Sequence, residues 1–238
     1  TKAQVCVGID VIGNFAATGN WYHSEEKDFS IVNELLEYSK TYPNISILGA
    51  NGGRYQNSGG NIVQQLAYSV AHAVEYLQRD ICDTQIQLFE VAIGNHYFFE
   101  IAKLRALRWL WATICDSFDH SDTCQILAIP SKRNKTLYDY NVNMLRTTSE
   151  SMAAVLGGAD TICNLRYDAL FNKDNEFGER IARNQLLLLK EESYFDEATH
   201  AAEGSYYIES LTKQFAEMAL DIFTEIEKGG GFLKQLKD

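Results

Sequence analysis

Asn143 to Asp160 reads NMLRTTSESMAAVLGGAD, and the fold is decided there. Met144, Leu145, Thr148, Met152, Val155 and Leu156 recur at helical spacing, which predicts a helix with that face buried. Asp139 and Asn141 stand just upstream as candidate caps, and Gly157-Gly158 supplies the left-handed turn at which such a helix ends. Directly after the glycines, Thr161-Ile162-Cys163-Asn164-Leu165 is short and β-branched at its start, as a strand is. Helix, glycine turn and strand make one αβ unit. The glycine pair follows a helix rather than a strand, the reverse of the order in phosphate-binding loops, so it reads as a cap and not as a phosphate cradle.

Working outward, four more runs have the character of buried strands: Val5 to Asp10 (VCVGID), Ile45 to Leu48, Gln85 to Ala92 and Cys124 to Ile129. Val5 to Asp10 is apolar at almost every position, as strands covered on both faces are. Their starts lie about forty residues apart, with one helix in each gap, the repeat of a βα barrel or a doubly wound sheet. The helices are one capped by Asp28 and Ser30 with Ile31, Val32, Leu35 and Leu36 inside, one from Asn61 to Arg79, and one from His96 to Phe118. Two more, Glu179 to Glu192 and Ile208 to Lys228, precede a stop at Gly229-Gly230-Gly231. A closed (β/α)8 barrel needs eight units and five are present. The residues alone leave two readings open, an open five-stranded sheet or the C-terminal part of a TIM-type barrel. Either is expected to be one domain over residues 1–238, with two sheet edges to be covered or paired.

With 46% hydrophobic residues in 238, the chain can bury a sizeable core. A net charge of −11 speaks against non-specific binding to nucleic acid or to an anionic membrane, both of which reward clustered Lys and Arg. The five cysteines, Cys6, Cys82, Cys115, Cys124 and Cys163, are odd in number, widely spaced and without a CxxC pair. That is the pattern of reduced thiols in a cytoplasmic protein.

In a βα barrel, reacting groups gather at the C-terminal ends of strands. The candidates are Asp10, Asn14 and Thr18 after the first strand, and Asn51, Arg54 and Tyr55 after the second. Glu90, Asn95 and His96 follow the third, Ser131, Lys132 and Arg133 the fourth, and Asn164, Arg166 and Asp168 the fifth. His96 opens a helix and is a candidate pocket residue, whereas His72, mid-helix, reads as packed or surface. No HxH, HExxH or Cys/His spacing predicts a metal site, and no GxSxG elbow predicts a nucleophile. Lys132 and Arg133, with Lys135 close by, could meet the phosphates of a nucleotide-bearing thioester, or be a solvated basic loop.

LRTTSESMAAVLGGAD (Leu145 to Asp160) resembles the methylmalonyl-CoA mutase family, whose members carry a close variant of R-T-T-x-E-A-M-A-A-V-L-G-G before the last barrel strand. Ile93 to Leu107 (IGNHYFFEIAKLRAL), Arg180 to Ser193 (RIARNQLLLLKEES) and Gly204 to Thr212 (GSYYIESLT) agree as well, with weaker agreement around Gln64 to Leu77. The resemblance favours the partial barrel over the open sheet, because the family's barrel ends with these motifs. It implies chemistry in which a barrel is threaded by acyl-CoA and a separate domain binds adenosylcobalamin through D-x-H-x-x-G, which this chain lacks.

At the strand ends the agreement stops. Catalytic members read like S-G-Y-H-x-Q-E-A-G-A after the second of these strands, and here Gly53 and Arg54 stand for the Tyr-His pair. An always-charged guanidinium does not replace a neutral imidazole beside a thioester carbonyl. Glu90 stands for an aromatic, Ile129-Pro130-Ser131 for a Gln-Thr-Ser run, and Cys163-Asn164-Leu165 for a His-Thr-Asn run. Helix motifs are kept and pocket motifs are not. The resemblance therefore implies the small, non-catalytic subunit of a heterodimeric mutase, binding no cofactor itself and paired with a large subunit that carries adenosylcobalamin. A homodimer of this stretch is a further expectation. The alternative is a catalytic acyl-CoA mutase barrel of altered specificity, with Arg54, Tyr55 and Glu90 in its pocket.

Overall fold

A computed structural model describes residues 5–42, 44–79, 87–173, 175–197 and 200–237. Its five strands, β1 (Val5–Ile9), β2 (Ile45–Asn51), β3 (Gln87–Ile93), β4 (Cys124–Pro130) and β5 (Thr161–Ile162), run parallel in the order β1-β2-β3-β4-β5. The sheet curls into a half-barrel with helices on its convex side, which is the partial TIM-type barrel expected. Between the strands lie α1 (Val11–Thr18), α2 (Glu25–Ser39), α3 (Gly53–Asn57), α4 (Ile62–Leu77), α5 (Tyr97–Ser117) and α6 (Val142–Leu156). After them come α7 (Glu176–Glu191), α8 (Tyr206–Lys228) and α9 (Phe232–Lys237). The start expected for the third strand at Gln85, and also Pro43 and Cys82, lie outside the described residues.

The core forms where β3 and β4 meet α4 and α5. Phe89, Val91 and Ile93 of β3 and Ile126 and Ala128 of β4 are sealed beneath the helices, and Phe89 meets Trp111 edge to face at 5.1 Å. Glu90 and Ala92, which alternate with them, turn to the concave side. α4 is buried on nearly every side, from Val63 to Leu77. Its Asn61 cap explains where it starts: the side chain accepts from Gln64 N, and Gln64 Oε1 accepts from Asn61 N, both at 2.9 Å. The outer side of α4 is closed by α8, which lies across α4 and α5 and buries Ile208, Thr212, Ala216 and Ala219. Each Leu, Val or Ile buried in this way contributes roughly 1.5–3 kcal/mol.

Several expectations are corrected. The face of α6 assigned to the core is not the buried one: Leu145 is 72% exposed, and the buried positions are Asn143, Thr147, Glu150, Ser151, Ala153 and Ala154. A polar face can be buried because each group finds a partner. Asn143 holds Thr136 N, Thr136 O and Tyr167 O, Thr147 meets Gln185, and Glu150 receives Lys135. Asn141 stands at the start of α6 with no side-chain cap bond, while Gly158 does take the left-handed conformation, at φ 83°. β5 ends at Ile162, short of Cys163 to Leu165, and Cys163 is exposed. β1 is not covered on both faces, since Val5 and Val7 are 46% and 52% exposed. α2 begins at Glu25 behind the Ser24 cap, so Asp28 lies inside the helix, where it accepts from Tyr22 N and His23 N; Leu35 is exposed. The glycine run at 229–231 is a turn rather than a stop, because α9 follows it with Phe232 and Leu233 buried.

Candidate functional site

The C-terminal ends of β2, β3 and β4 open onto a cleft of about 590 Å³. Ala16 and Ala17 of α1 form one wall, Gly53 and Arg54 of α3 another, and Asn51, Glu90, Ala92, Ile129 and Lys132 line the strand ends and the loop after β4. Gly53 packs closely, since a Cβ there would lie 3.2 Å from Asn51 Oδ1 and 3.3 Å from Ala92 N, so a side chain there would need its neighbours to shift by a few tenths of an ångström. Asn51 organises the floor. Its Nδ2 donates to Glu90 at 2.7 Å, its Oδ1 accepts from Arg54 N at 3.2 Å, and its own N–H donates to Asp10 Oδ2 at 3.1 Å. Burial raises the Glu90 carboxyl above the usual range, and the Asn51 bond and Arg54 charge offset part of that rise.

Behind the α1 and α3 walls lies a buried polar set. His72 is fully buried, with Nε2 2.8 Å from Asp10 Oδ1, close but off the line of a hydrogen bond, and Nδ1 2.9 Å from Tyr55 Oη. Tyr76 Oη donates to Asp10 Oδ1 at 3.3 Å and accepts from Ile12 N, and Gly13 N donates to Asp10 at 2.6 Å. Burial alone would raise the Asp10 carboxyl, yet His72 and the bonds from Gly13 and Asn51 outweigh it and hold the group below its ordinary value. Burial pushes the Tyr55 and Tyr76 phenols well above theirs.

A second cavity, of about 500 Å³, lies between the starts of α4 and α5 and the loop after β4, lined by Gln56, Asn61, His96, Phe99, Glu100, Arg133 and Phe215. His96 is exposed there beside Phe99. Arg133 donates to Gln56 O at 3.1 Å and to Gly60 O at 2.9 Å, which ties the β4 loop to α3.

Arg54, Tyr55 and Glu90 thus come together at the first cleft, with the Tyr55 hydroxyl turned away to His72. Lys132 and Arg133 are not brought to one place, since Lys132 borders the first cleft and Arg133 the second. Lys135 is unavailable to a phosphate, being 1% exposed and paired with the equally buried Glu150 at 2.7 Å. Asn164 borders neither cavity and donates to Ala182 O and Gln185 Oε1, both at 3.0 Å. What the sequence reading missed is the partnership of Asp10, His72 and Tyr76. The signal available was His72 and Tyr76 four residues apart on one helix face, behind an Asp that ends a strand.

Among the described residues no group of three His, Cys, Asp or Glu side chains comes together to hold a metal ion, and no helix is long and apolar enough to cross a membrane. No histidine lines the first cleft, and His72 behind it is fully buried, with Nδ1 bonded to Tyr55 and Nε2 facing Asp10 away from the cleft walls, so the residues there do not fit a cobalt-ligating site. Burial pushes the Cys124 thiol up to about 11, which makes it a poor nucleophile.

A family profile described as methylmalonyl-CoA mutase matches residues 1–238. The chain is similar to the methylmalonyl-CoA mutase small subunit of Porphyromonas gingivalis, 39% identical over 211 residues that cover 83% of this chain and 34% of that protein. It is also similar to the small subunit of Streptomyces virginiae, 34% identical over 97% of this chain and 38% of the relative. With the methylmalonyl-CoA mutase of Cereibacter sphaeroides it shares 33% identity over 94% of this chain and 33% of the relative. The chain therefore spans about a third of the length of the curated relatives it matches.

Proposed function

The chain belongs to the methylmalonyl-CoA mutase family, and on that footing we propose that it is barrel-forming sequence of a small, non-catalytic subunit. Its role is structural: it pairs with a large subunit that carries adenosylcobalamin and interconverts methylmalonyl-CoA and succinyl-CoA. The observation that carries this reading is the lining of the first cleft. Gly53, Arg54 and Glu90 occupy its walls and floor, at the positions where the family resemblance calls for a tyrosine, a histidine and an aromatic residue. Small-subunit names among the relatives support it too. Cys6, Cys115, Cys124 and Cys163, none of them in a disulfide, accord with a cytoplasmic setting.

The test is to titrate the intact subunit, alone, with adenosylcobalamin and with methylmalonyl-CoA by calorimetry, and to assay it for succinyl-CoA. The expected result is no heat of binding and no turnover, with activity appearing once the large subunit is added. Micromolar binding of either ligand, or turnover by the subunit alone, would overturn the reading and return Arg54, Tyr55 and Glu90 to the pocket of a catalytic barrel with altered specificity.

A further inference from the structure

Gly229, Gly230 and Gly231 turn the chain back at the end of α8, with φ of 103° at Gly230 and 94° at Gly231. The turn delivers Phe232 onto α4. Its ring lies flat against the His72 imidazole, centroids 5.8 Å apart and planes within 5°, and meets the Tyr55 ring edge to face at 5.6 Å. One bond holds the start of α9 in place: Leu233 N donates to the buried Glu75 Oε1 at 2.9 Å. The imidazole under Phe232 is the one whose Nδ1 bonds Tyr55 Oη and whose Nε2 faces the Asp10 carboxylate at 2.8 Å. Both partners belong to walls of the first cleft. Tyr55 anchors α3, whose Gly53 and Arg54 line one side, and Asp10 caps α1, whose Ala16 and Ala17 line the other.

We propose that α9 is a latch: its docking of Phe232 on His72 holds α3 and the start of α1 in place, and so sets the shape of the cleft from the outer, helical side of the sheet. A five-residue helix has no stability of its own, so α3 keeps its position through side chains such as Tyr55. Removing Phe232 bares one face of His72 and lets the imidazole leave Tyr55 and Asp10 for solvent. Phe89, Trp111 and Ile126 belong to the same continuous core, but the Phe89 and Trp111 rings pair with each other, whereas Phe232 meets the rings of Tyr55, Tyr68 and His72. Coupling of this kind is reciprocal, so whatever fills the cleft also tightens α9. The inference is independent of whether the subunit is catalytic.

Hydrogen exchange read by mass spectrometry on the intact protein tests it, with two variants that undock α9 by different means. Phe232→Ala removes the ring. Gly231→Ala leaves every ring in place, but puts a side chain at φ 94° and within 2.8 Å of Glu75 Oε1. Both are expected to speed exchange of the amides of 53–57 and 11–18 by about ten-fold or more while β3 and β4 keep wild-type rates, with Phe232→Leu falling between. Exposure of α9 with wild-type rates at 53–57 would overturn the latch. Equal acceleration in β3 and β4 would overturn it as well, since that is a global loss of stability.

Discussion

Asp10 collects most of its partners from far along the chain, His72 and Tyr76 on α4 and the Asn51 N–H at the end of β2, and adds the local Gly13 N–H at the start of α1. A carboxylate 7% exposed is stable in that position only because these groups replace water. Its pKa is below the ordinary value, so its contribution to stability is present above the unfolded carboxylate value of about 3.9 and is lost as pH falls through the lower folded value. Asp10→Asn is therefore expected to cost about 1–3 kcal/mol at neutral pH and progressively less toward pH 3. Thermal unfolding of both proteins from pH 7 to pH 3 checks this, and a gap that stays constant or widens in acid would refute the assignment. Glu90 has the opposite sign, because burial has raised it and its penalty is relieved in acid. Asp10 and Glu90 were both legible in the sequence as strand-end residues. Glu90's partners Asn51 and Arg54 stood among the same strand-end candidates, but Asp10's partners His72 and Tyr76 did not, because no periodicity encodes a contact between a strand end and the middle of a helix several elements later.

At the scale of elements, α6 shows where pattern reading works and where it fails. Its glycine turn was legible because a left-handed turn depends on a few local residues, whereas Asn141 at its start makes no side-chain cap bond. Its buried face was not legible, because an apolar count assumes that what is buried is apolar, and here Asn143, Thr147 and Glu150 are buried through hydrogen bonds to other segments. Lys135 and Glu150 pin the loop after β4 to this helix, each 1% exposed. Burial lowers the Lys135 ammonium and raises the Glu150 carboxyl, and their mutual attraction offsets only part of each shift. Both groups are thus driven toward their neutral forms, so the pair costs nearly what it returns. A double-mutant cycle measured by urea unfolding separates the terms. Glu150→Leu or Lys135→Met alone is expected to cost about 3–5 kcal/mol, because the other charge stays sealed in without its partner. The double variant is expected to cost much less than the sum, and additivity would refute the account.

For the whole molecule, strand spacing was enough to give a parallel βα repeat, but the sequential order that separates a barrel from a doubly wound sheet was indicated only by the family resemblance. The condition of the edges was not legible in the same way. VCVGID reads as a strand buried on both sides, yet among the described residues β1 pairs with a neighbour on one side only, and Val5 and Val7 are left 46% and 52% exposed. At the opposite edge β5 is two residues long and offers little to pair with. The asymmetry locates the sticky edge: a strand with an unpaired side and exposed valines is a template for another chain, whereas a two-residue strand is not. Residues 1–238 expressed by themselves are therefore expected to self-associate through β1. Light scattering after size exclusion would show a mass above the 26.9 kDa of one chain, and Val5→Lys with Val7→Lys would return it to that value, because Lys on an edge strand blocks pairing. A wild-type chain that stays monomeric at high concentration would mean that the edge is closed by other means. Association that survives both lysines would move the contact to the concave face, where Glu90 and Ala92 lie.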